Sequence, residues 1–545
     1  MEDENLFWSD QLAKRITTRE KFRYTQDRVP ELGRFVVKTS ASLSGVLHIG
    51  RLSDTVRGES VARSLRDMGK DVEFIWVAED MDPLRKIPKC VPSVFEKYLG
   101  MPVTDIPDPW GCHKTYSEHH FEKYLKVLFD FTHEKMTMYS MREEYRKGTF
   151  NECIRILLEN SRKMVDIQNQ YRENKLPYTW SPWTPICKNC GKIITPKVTG
   201  FDGKKIKYVC QDYQFEKTVA KGCGYEGEAD PLRDDGKLMW KGEWASQWKI
   251  WKVCSEGAGK EYQVPGSAFW INCEICETIL GFPAPEPIFY EHITIDGEKM
   301  SASKGNIVYP NDWVEVADPE VLRFFYNKKL MKTRSFSWKD LPRLYDDYDL
   351  HMKVFFGKEQ VANEREAHHM KRLFEISQLK VPEKIPALIP YDFAAVISQI
   401  CSPEDSLGRA VALLKSSGHL TSEPGESDLD FIRHRLVLAK NWTEKYAGEE
   451  VKIKISEDVT MDTKDRLTEL QVRALKSLAD SLDSAPDEAS LYSKFFDISR
   501  ETGIETKDFF KAAYIVLIGK ERGPRLAPFI FAIGKERVKK LLDGI

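Results

Sequence analysis

RFVVKTSASLSGVLHIGRLSDTVRGESVARSLRDMGKDVEFIWV, residues 34–77, is the stretch from which the fold is read. Residues 34–38 are rich enough in β-branched and aromatic side chains for a short strand. A turn-forming stretch follows, with Thr39, Ser40, Ser42, Ser44 and Gly45. From about His48 the apolar positions Ile49, Leu52, Val56, Leu65 and Met68 fall at largely helical spacings, and Gly69 acts as a stop. Residues 72–77 then read as a second, buried strand. The result is a β-α-β unit, which argues for an α/β fold built on a parallel sheet. It places His48 and Gly50 at a helix N-terminus, where free N–H groups and the helix dipole form an anion site. Gly45 and Gly50 let a ligand approach the backbone closely. An imidazole there can donate a hydrogen bond to a phosphate as charge develops. A glycine-containing turn with a surface histidine is the plainer reading of the same residues.

A second segment lies roughly 250 residues downstream. Residues 291–295 look like a strand, and Asp296-Gly297 is a turn signal. The loop that follows, Lys299-Met300-Ser301-Ala302-Ser303-Lys304-Gly305-Asn306, holds two lysines with two serines between them. A basic loop of this kind can fold over a triphosphate and neutralise a leaving pyrophosphate. An exposed Lys/Ser loop is the alternative.

Taken as a pair, the segments resemble the two signature sequences of class I aminoacyl-tRNA synthetases. Arg51 stands where most of that class has a second histidine, so a two-histidine mechanism does not carry over. Ala302 is the single change in the second signature. Further segments agree in order: 80–86, 109–120, Cys187-x-x-Cys190, 222–227, 259–262 and Gly519-Lys520-Glu521-Arg522-Gly523-Pro524-Arg525. This series resembles the class I form of lysyl-tRNA synthetase over nearly the whole chain.

The resemblance implies activation of L-lysine with ATP to lysyl-adenylate and transfer of lysine to the 3′ end of tRNA(Lys), with Mg²⁺ on the phosphates. It implies catalytic roles for His48, Lys299 and Lys304, and ATP contacts from these with Gly50, Ser301 and Ser303. It places Asp54 against the substrate's terminal amine and Ser40 and Ser42 at its α-amino end. Trp244 and Tyr262 would supply aromatic walls; Tyr262 stands where many relatives have histidine. A lysine ammonium does need a buried carboxylate and flat rings in place of water. Asp54 also reads as a solvated helix charge, and two tryptophans four apart, Trp244 and Trp248, also suit a core. Glu79, Asp80 and Glu261 are the next carboxylates in line.

Composition bounds the rest. A chain of 545 residues should form three or four domains, and 41% hydrophobic content is ample for their cores. A formal net charge of −2 means that RNA would be met by local basic patches rather than a global field. The acidic, polar start suggests no signal peptide, and no apolar run reaches the length of a membrane span. Eleven scattered cysteines read as cytosolic thiols and metal ligands rather than disulfides. The expectation is a cytoplasmic protein with no membrane partner, acting as a monomer. Cys187, Cys190, Cys210 and Cys223 suit a structural Zn²⁺. Cys112-His113 with His119 and His120 reads as either a second metal cluster or a polar helix start. Cys273 and Cys276 lie in an apolar stretch and read as core.

The expected architecture is a Rossmann-like parallel-sheet catalytic domain in two halves, 1–85 and 238–306, the second ending in the KMSKS-like loop. An insertion, 86–237, carries the zinc module and would bind the acceptor end of the RNA. A helical stem-contact region spans 307–380; within it Asp318 caps, Pro319 opens a helix, and Val321, Leu322, Phe324 and Phe325 form its apolar face. An α-helical anticodon-binding domain, 381–545, follows a proline-stiffened connector. Three other functions stay open. A glutamyl-tRNA synthetase of the same class would need a cation facing the substrate side chain. A small-metabolite adenylyltransferase would not need the insertion or the helical bundle. A non-catalytic tRNA-binding paralogue would have no use for intact His48, Lys299 and Lys304.

Overall fold

The computed structural model describes residues 6–43, 47–88, 91–133, 135–300, 305–401, 407–416, 418–449, 451–523 and 525–545. Ser44, Gly45, Ser301, Ser303 and Lys304 lie outside the described residues. The chain forms two compact units.

The first unit holds the parallel sheet. In chain order its elements are β1 (Phe35–Ser42), α1 (Ile49–Asp67), β2 (Val72–Glu79), α2 (Tyr116–Leu128), β3 (Thr137–Ser140), α3 (Trp240–Ile250), β4 (Val253–Gly259), α4 (Ala268–Thr278) and β5 (Glu286–Tyr290). The strand order is β5-β4-β1-β2-β3, and every neighbouring pair is parallel. The chain runs outward from β1 to β3 and then crosses to β4 on the other side of β1. The order therefore reverses between β1 and β4, and a crevice opens at their carboxyl ends. β3 comes from within 86–237, so the sheet is not confined to the segments around 34–85 and 238–300. With one exposed and three half-buried residues at a sheet edge, β3 has no apolar pattern to announce it.

The β-α-β unit forms as its pattern dictates, except that β1 runs on through Thr39, Ser40 and Ser42, which read as a turn in sequence but pair with β2. Leu52, Val56 and Leu65 are fully buried on α1, but Met68 caps the helix end and is 44% exposed. Gly69 follows with φ +73°, the left-handed stop that glycine adopts without strain. One hydrophobic core joins the sheet to the insertion, running from Val36 and Ile75 to Trp183, Cys187, Tyr208 and Cys210. The cysteine-bearing part is a three-stranded antiparallel sheet of Pro196–Phe201, Ile206–Cys210 and Glu226–Ala229.

The region 307–380 is shared between the units. Residues 319–336 and 361–381 fold with the sheet, whereas 312–318 and 337–360 fold with the C-terminal unit. The helix Pro319–Asn327 buries Val321, Leu322, Phe324 and Phe325. The strand Arg334–Phe336 pairs in parallel with Ile293–Ile295. The second unit is helical, with no strand among its described residues, and packs a core of its own from Ala474 to Leu542. No described helix is long and apolar enough to cross a membrane.

Candidate active site

A cleft of about 700 Å³ occupies the switch point. It gathers Ser40 and Ser42 from the end of β1, His48, Gly50 and Asp54 from the start of α1, Trp244 from α3, Tyr262 beyond β4, and Lys299. These are all the described residues that the sequence assigns to phosphate or substrate contact.

His48 is the N-cap of α1, and its Nδ1 accepts the Gly50 N–H at 3.1 Å. The imidazole proton is therefore left on Nε2, free to donate. Burial, with Arg51 nearby, lowers its pKa to about 4, so the ring is neutral at pH 7. It offers a hydrogen-bond donor rather than a fixed charge at the positive end of the helix dipole, where the Ile49 and Gly50 N–H groups are taken by the Val308 carbonyl and by His48 Nδ1. Lys299 follows a two-residue turn in which Asp296 and Gly297 both have positive φ, 50° and 81°. This is the tight hairpin that an Asp-Gly pair favours. The exposed Lys299 lines the cleft together with His48.

Six carboxylates line the same cavity: Asp54, Glu79, Asp82, Glu256, Glu261 and Glu291. Several are already engaged. Glu256 receives Lys38 Nζ at 2.5 Å and the indole N–H groups of Trp244 and Trp248 at 2.9 and 2.6 Å. Glu291 pairs with Lys260, and Glu261 with His292. Burial pushes Glu79 up to about 8; its side-chain donor is Gln247 Nε2 at 3.1 Å. Asp80 is a structural brace, taking Ser140 Oγ and the Arg142 backbone N–H. Burial works against the Lys237 ammonium, but Glu243, Asp82 and Glu79 outweigh it and hold it charged.

Asp54 differs from these. It accepts a hydrogen bond from Tyr290 Oη, at 2.8 Å from the end of β5. Burial raises its pKa to about 6, against that hydrogen bond. β4 passes so close that a Cβ on Gly257 would stand 2.0 Å from Asp54 Oδ1, so only glycine leaves the carboxylate room. Trp240 stacks on Trp244 at 4.8 Å, and Tyr262 meets Trp244 edge-on at 5.3 Å. Trp244 is 3% exposed and forms a cleft wall from the core side, while Trp248 is wholly buried. Tyr290, Glu256, Lys237 and Trp240 are not singled out by the sequence. Tyr290, Lys237 and Trp240 lie at or near strand ends, but Glu256 is in the middle of β4, so the four share no sequence signal.

Two further clusters have metal-ligand chemistry. The sulfurs of Cys187, Cys190, Cys210 and Cys223 lie within 4.8 Å of one another. Cys187–Cys223 and Cys190–Cys210 are 3.7 and 3.6 Å apart, too long for disulfides. Four sulfurs about 2.3 Å from one tetrahedral Zn²⁺ would be about 3.8 Å apart, so the donor set fits. The second cluster is Asp108, Cys112, His113 and His119. Cys112 Sγ lies 3.1 Å from Nδ1 of both histidines and 3.3 Å from Asp108. His113 Nε2 is held by Glu122 at 2.5 Å, the outer carboxylate typical of a metal-bound imidazole. His120 is not part of this cluster; it packs against the Tyr116 ring. Cys273 and Cys276 are fully buried on α4.

The family model described as tRNA synthetases class I (K) matches residues 6–380. This chain belongs to that family. A model of an anticodon binding domain matches residues 433–544 of this class I (K) synthetase. A lysine–tRNA ligase from Methanosphaera stadtmanae is 30% identical, with 98% of each chain covered. One from Methanocaldococcus jannaschii is 32% identical, again over 98% of each. A third, from Pyrococcus furiosus, is 33% identical over 98% of this synthetase and 99% of its own length.

Proposed function

We infer that this chain is a lysine–tRNA ligase, joining L-lysine to tRNA at the expense of ATP. The observation that carries the reading is the cleft at the switch point. It brings His48 at the N-terminus of α1 and Lys299 together with Asp54, a carboxylate that takes the Tyr290 hydroxyl and for which Gly257 leaves room. The full-length match to lysine–tRNA ligases agrees with it.

The lysine carboxylate attacks the α-phosphate of ATP in line, and pyrophosphate leaves. His48 Nε2–H donates to the phosphates as charge builds on their oxygens. Lys299, together with Lys304 of the same loop, neutralises the leaving group. Asp54 takes the substrate's side-chain ammonium between the aromatic walls of Trp244 and Tyr262, with Ser40 and Ser42 at the α-amino end. A ribose hydroxyl of the tRNA 3′ end then attacks the mixed anhydride. No protein nucleophile is needed, because positioning and electrostatics carry the rate. Mg²⁺ arriving with the triphosphate would supply charge neutralisation on the phosphates. Zn²⁺ in the four-cysteine site would hold the insertion together, and the Asp108–Cys112–His113–His119 set would take a second such ion. The enzyme is read as a cytoplasmic monomer, with 86–237 receiving the acceptor end, 307–380 meeting the stem and 381–545 the anticodon.

Pyrophosphate exchange measured with each amino acid in turn, with and without tRNA, tests the reading. Lysine should support exchange and glutamate should not. Exchange driven by any amino acid other than lysine would replace the substrate assigned here.

A further inference from the structure

The run Gly519-Lys520-Glu521-Arg522-Gly523 takes no part in the chemistry above. Gly519 ends the helix Thr506–Ile518 in the left-handed conformation, φ +70°. At Gly523 the chain lies flat on Tyr514; a Cβ there would stand 2.6 Å from the ring. Lys520 is spent on structure, donating to the backbone carbonyls of Glu449 and Lys452. Together these fix a tight corner that presents Arg522 on one side of a cleft. Arg525, the N-cap of Leu526–Ile533, lines the same cleft.

The cleft measures about 590 Å³ and lies wholly within the C-terminal unit. This is the volume of a small-ligand pocket, of order 300–1,000 Å³. Arg522 and Arg525 are exposed and form no ion pair among the described residues. The wall is aromatic: the Phe393 and His419 rings lie 4.3 Å apart. Burial, then Arg525, lowers the pKa of His419, so it offers a neutral ring face. Two carboxylates, Asp346 and Asp392, also line the cleft. Phosphate alone would use the arginines and leave the two carboxylates without a donor from the ligand. A ligand with anionic, flat and N–H-bearing parts uses all three sets of groups, and a nucleotide has all three.

We propose that this cleft receives one unstacked nucleotide of an RNA loop, its base against Phe393 and His419 and its flanking phosphates against Arg522 and Arg525. Asp346 and Asp392 accept from N–H groups on the base edge. Single-stranded loops are read in this way, by stacking on aromatic or imidazole faces and by contacts to exposed base edges. The inference rests on the reading of the chain as a tRNA ligase, and deepens it by naming where the helical unit holds the anticodon loop.

The test uses the full chain and a labelled RNA hairpin carrying the anticodon arm of tRNA(Lys), followed by fluorescence anisotropy. The Arg522→Ala/Arg525→Ala variant should bind roughly tenfold or more weakly. Its salt dependence should be shallower, by about 0.7 in log–log slope for each phosphate that is no longer neutralised. His419→Ala should lose roughly 5- to 100-fold, the range for one stacked base. A scan of abasic loop positions should find one whose removal weakens the wild type but not His419→Ala. Wild-type binding by the double-arginine variant overturns the proposal, as does an abasic scan that is the same in wild type and His419→Ala. Competition by free mononucleotides as effective as the hairpin makes the cleft a small-nucleotide site and also overturns it. Lysine charging of whole tRNA by the wild type is run alongside. Absent charging sinks the ligase reading; intact charging with unaltered variants sinks only the cleft.

Discussion

Asp54 stands between opposing demands. Burial favours its neutral form, and a bound ammonium favours its anion. Its pKa near 6 means that lysine must displace a proton at lower pH. Lysine affinity, measured by calorimetry, should therefore be flat above about pH 7 and weaken about tenfold per unit below 6. The sign for stability follows from the same shift. Because the folded value is raised above 3.8, the contribution of Asp54 to stability is present below that pH and is lost as pH rises through about 6. Lysine should consequently raise the melting temperature more at pH 7.5 than at pH 5. Asp54→Asn removes both pH dependences. It also leaves the substrate cation without a partner, at about 3–5 kcal/mol, or roughly 10² or more in affinity, with ATP binding little changed. Lysine binding that survives within a few-fold would place the carboxylate elsewhere, with Glu79 the next to test. Asp54, His48 and Lys299 are legible in the sequence because each sits in or beside a short local pattern. Tyr290 is not, since it meets Asp54 across 236 residues, through a strand pairing that no local spacing encodes.

Among the elements, the metal clusters show where sequence spacing stops being informative. Cys187 and Cys190 announce themselves by their tight spacing, whereas Cys210 and Cys223 are brought to them by antiparallel pairing of Ile206–Cys210 with both neighbouring strands. In the second cluster, His119 and His120 are equal by composition. On α2 successive residues point about 100° apart, so only one of them can face Cys112. Asp108 replaces the other, and its part is hidden in the sequence because it lies in the loop ahead of the helix. The α/β class, the position of α1 and the helical C-terminal half are all readable from periodicity; the edge strand β3 is too short to be. Freshly purified protein should carry two zinc ions per chain by elemental analysis. Cys190→Ser should lose one of them and open residues 187–223 to proteolysis, with the parallel sheet spared. Protein free of zinc before any chelation would remove both sites.

The whole molecule is divided in space but not cleanly in sequence. Residues 319–336 and 361–381 return to the sheet-bearing unit after the chain has begun the other. The reason lies at Arg323, which is 0% exposed, as is Glu59 on α1. Arg323 pairs with Glu59 and donates to the carbonyls of Phe131, Ile376 and Ser377. One guanidinium thus ties α1, the end of the first insertion helix and Glu364–Ser377 into one buried knot. A domain boundary placed at 306 would take the buried Arg323 guanidinium away from the buried Glu59 carboxylate. Arg323→Met creates that situation within the full chain. Removing one partner of a buried pair costs about 3–5 kcal/mol, whereas replacing both with apolar groups of like size can be near neutral. In urea melts, Arg323→Met should destabilise the sheet-bearing unit by that amount and leave the helical unit's transition in place. Adding Glu59→Leu should recover much of the loss, because no carboxylate is then buried there without Arg323. A single variant that melts within about 1 kcal/mol of wild type would mean that water or a neighbouring group takes over Glu59. The return of 319–336 to the first unit would then rest on the apolar face of Val321, Leu322 and Phe324 alone.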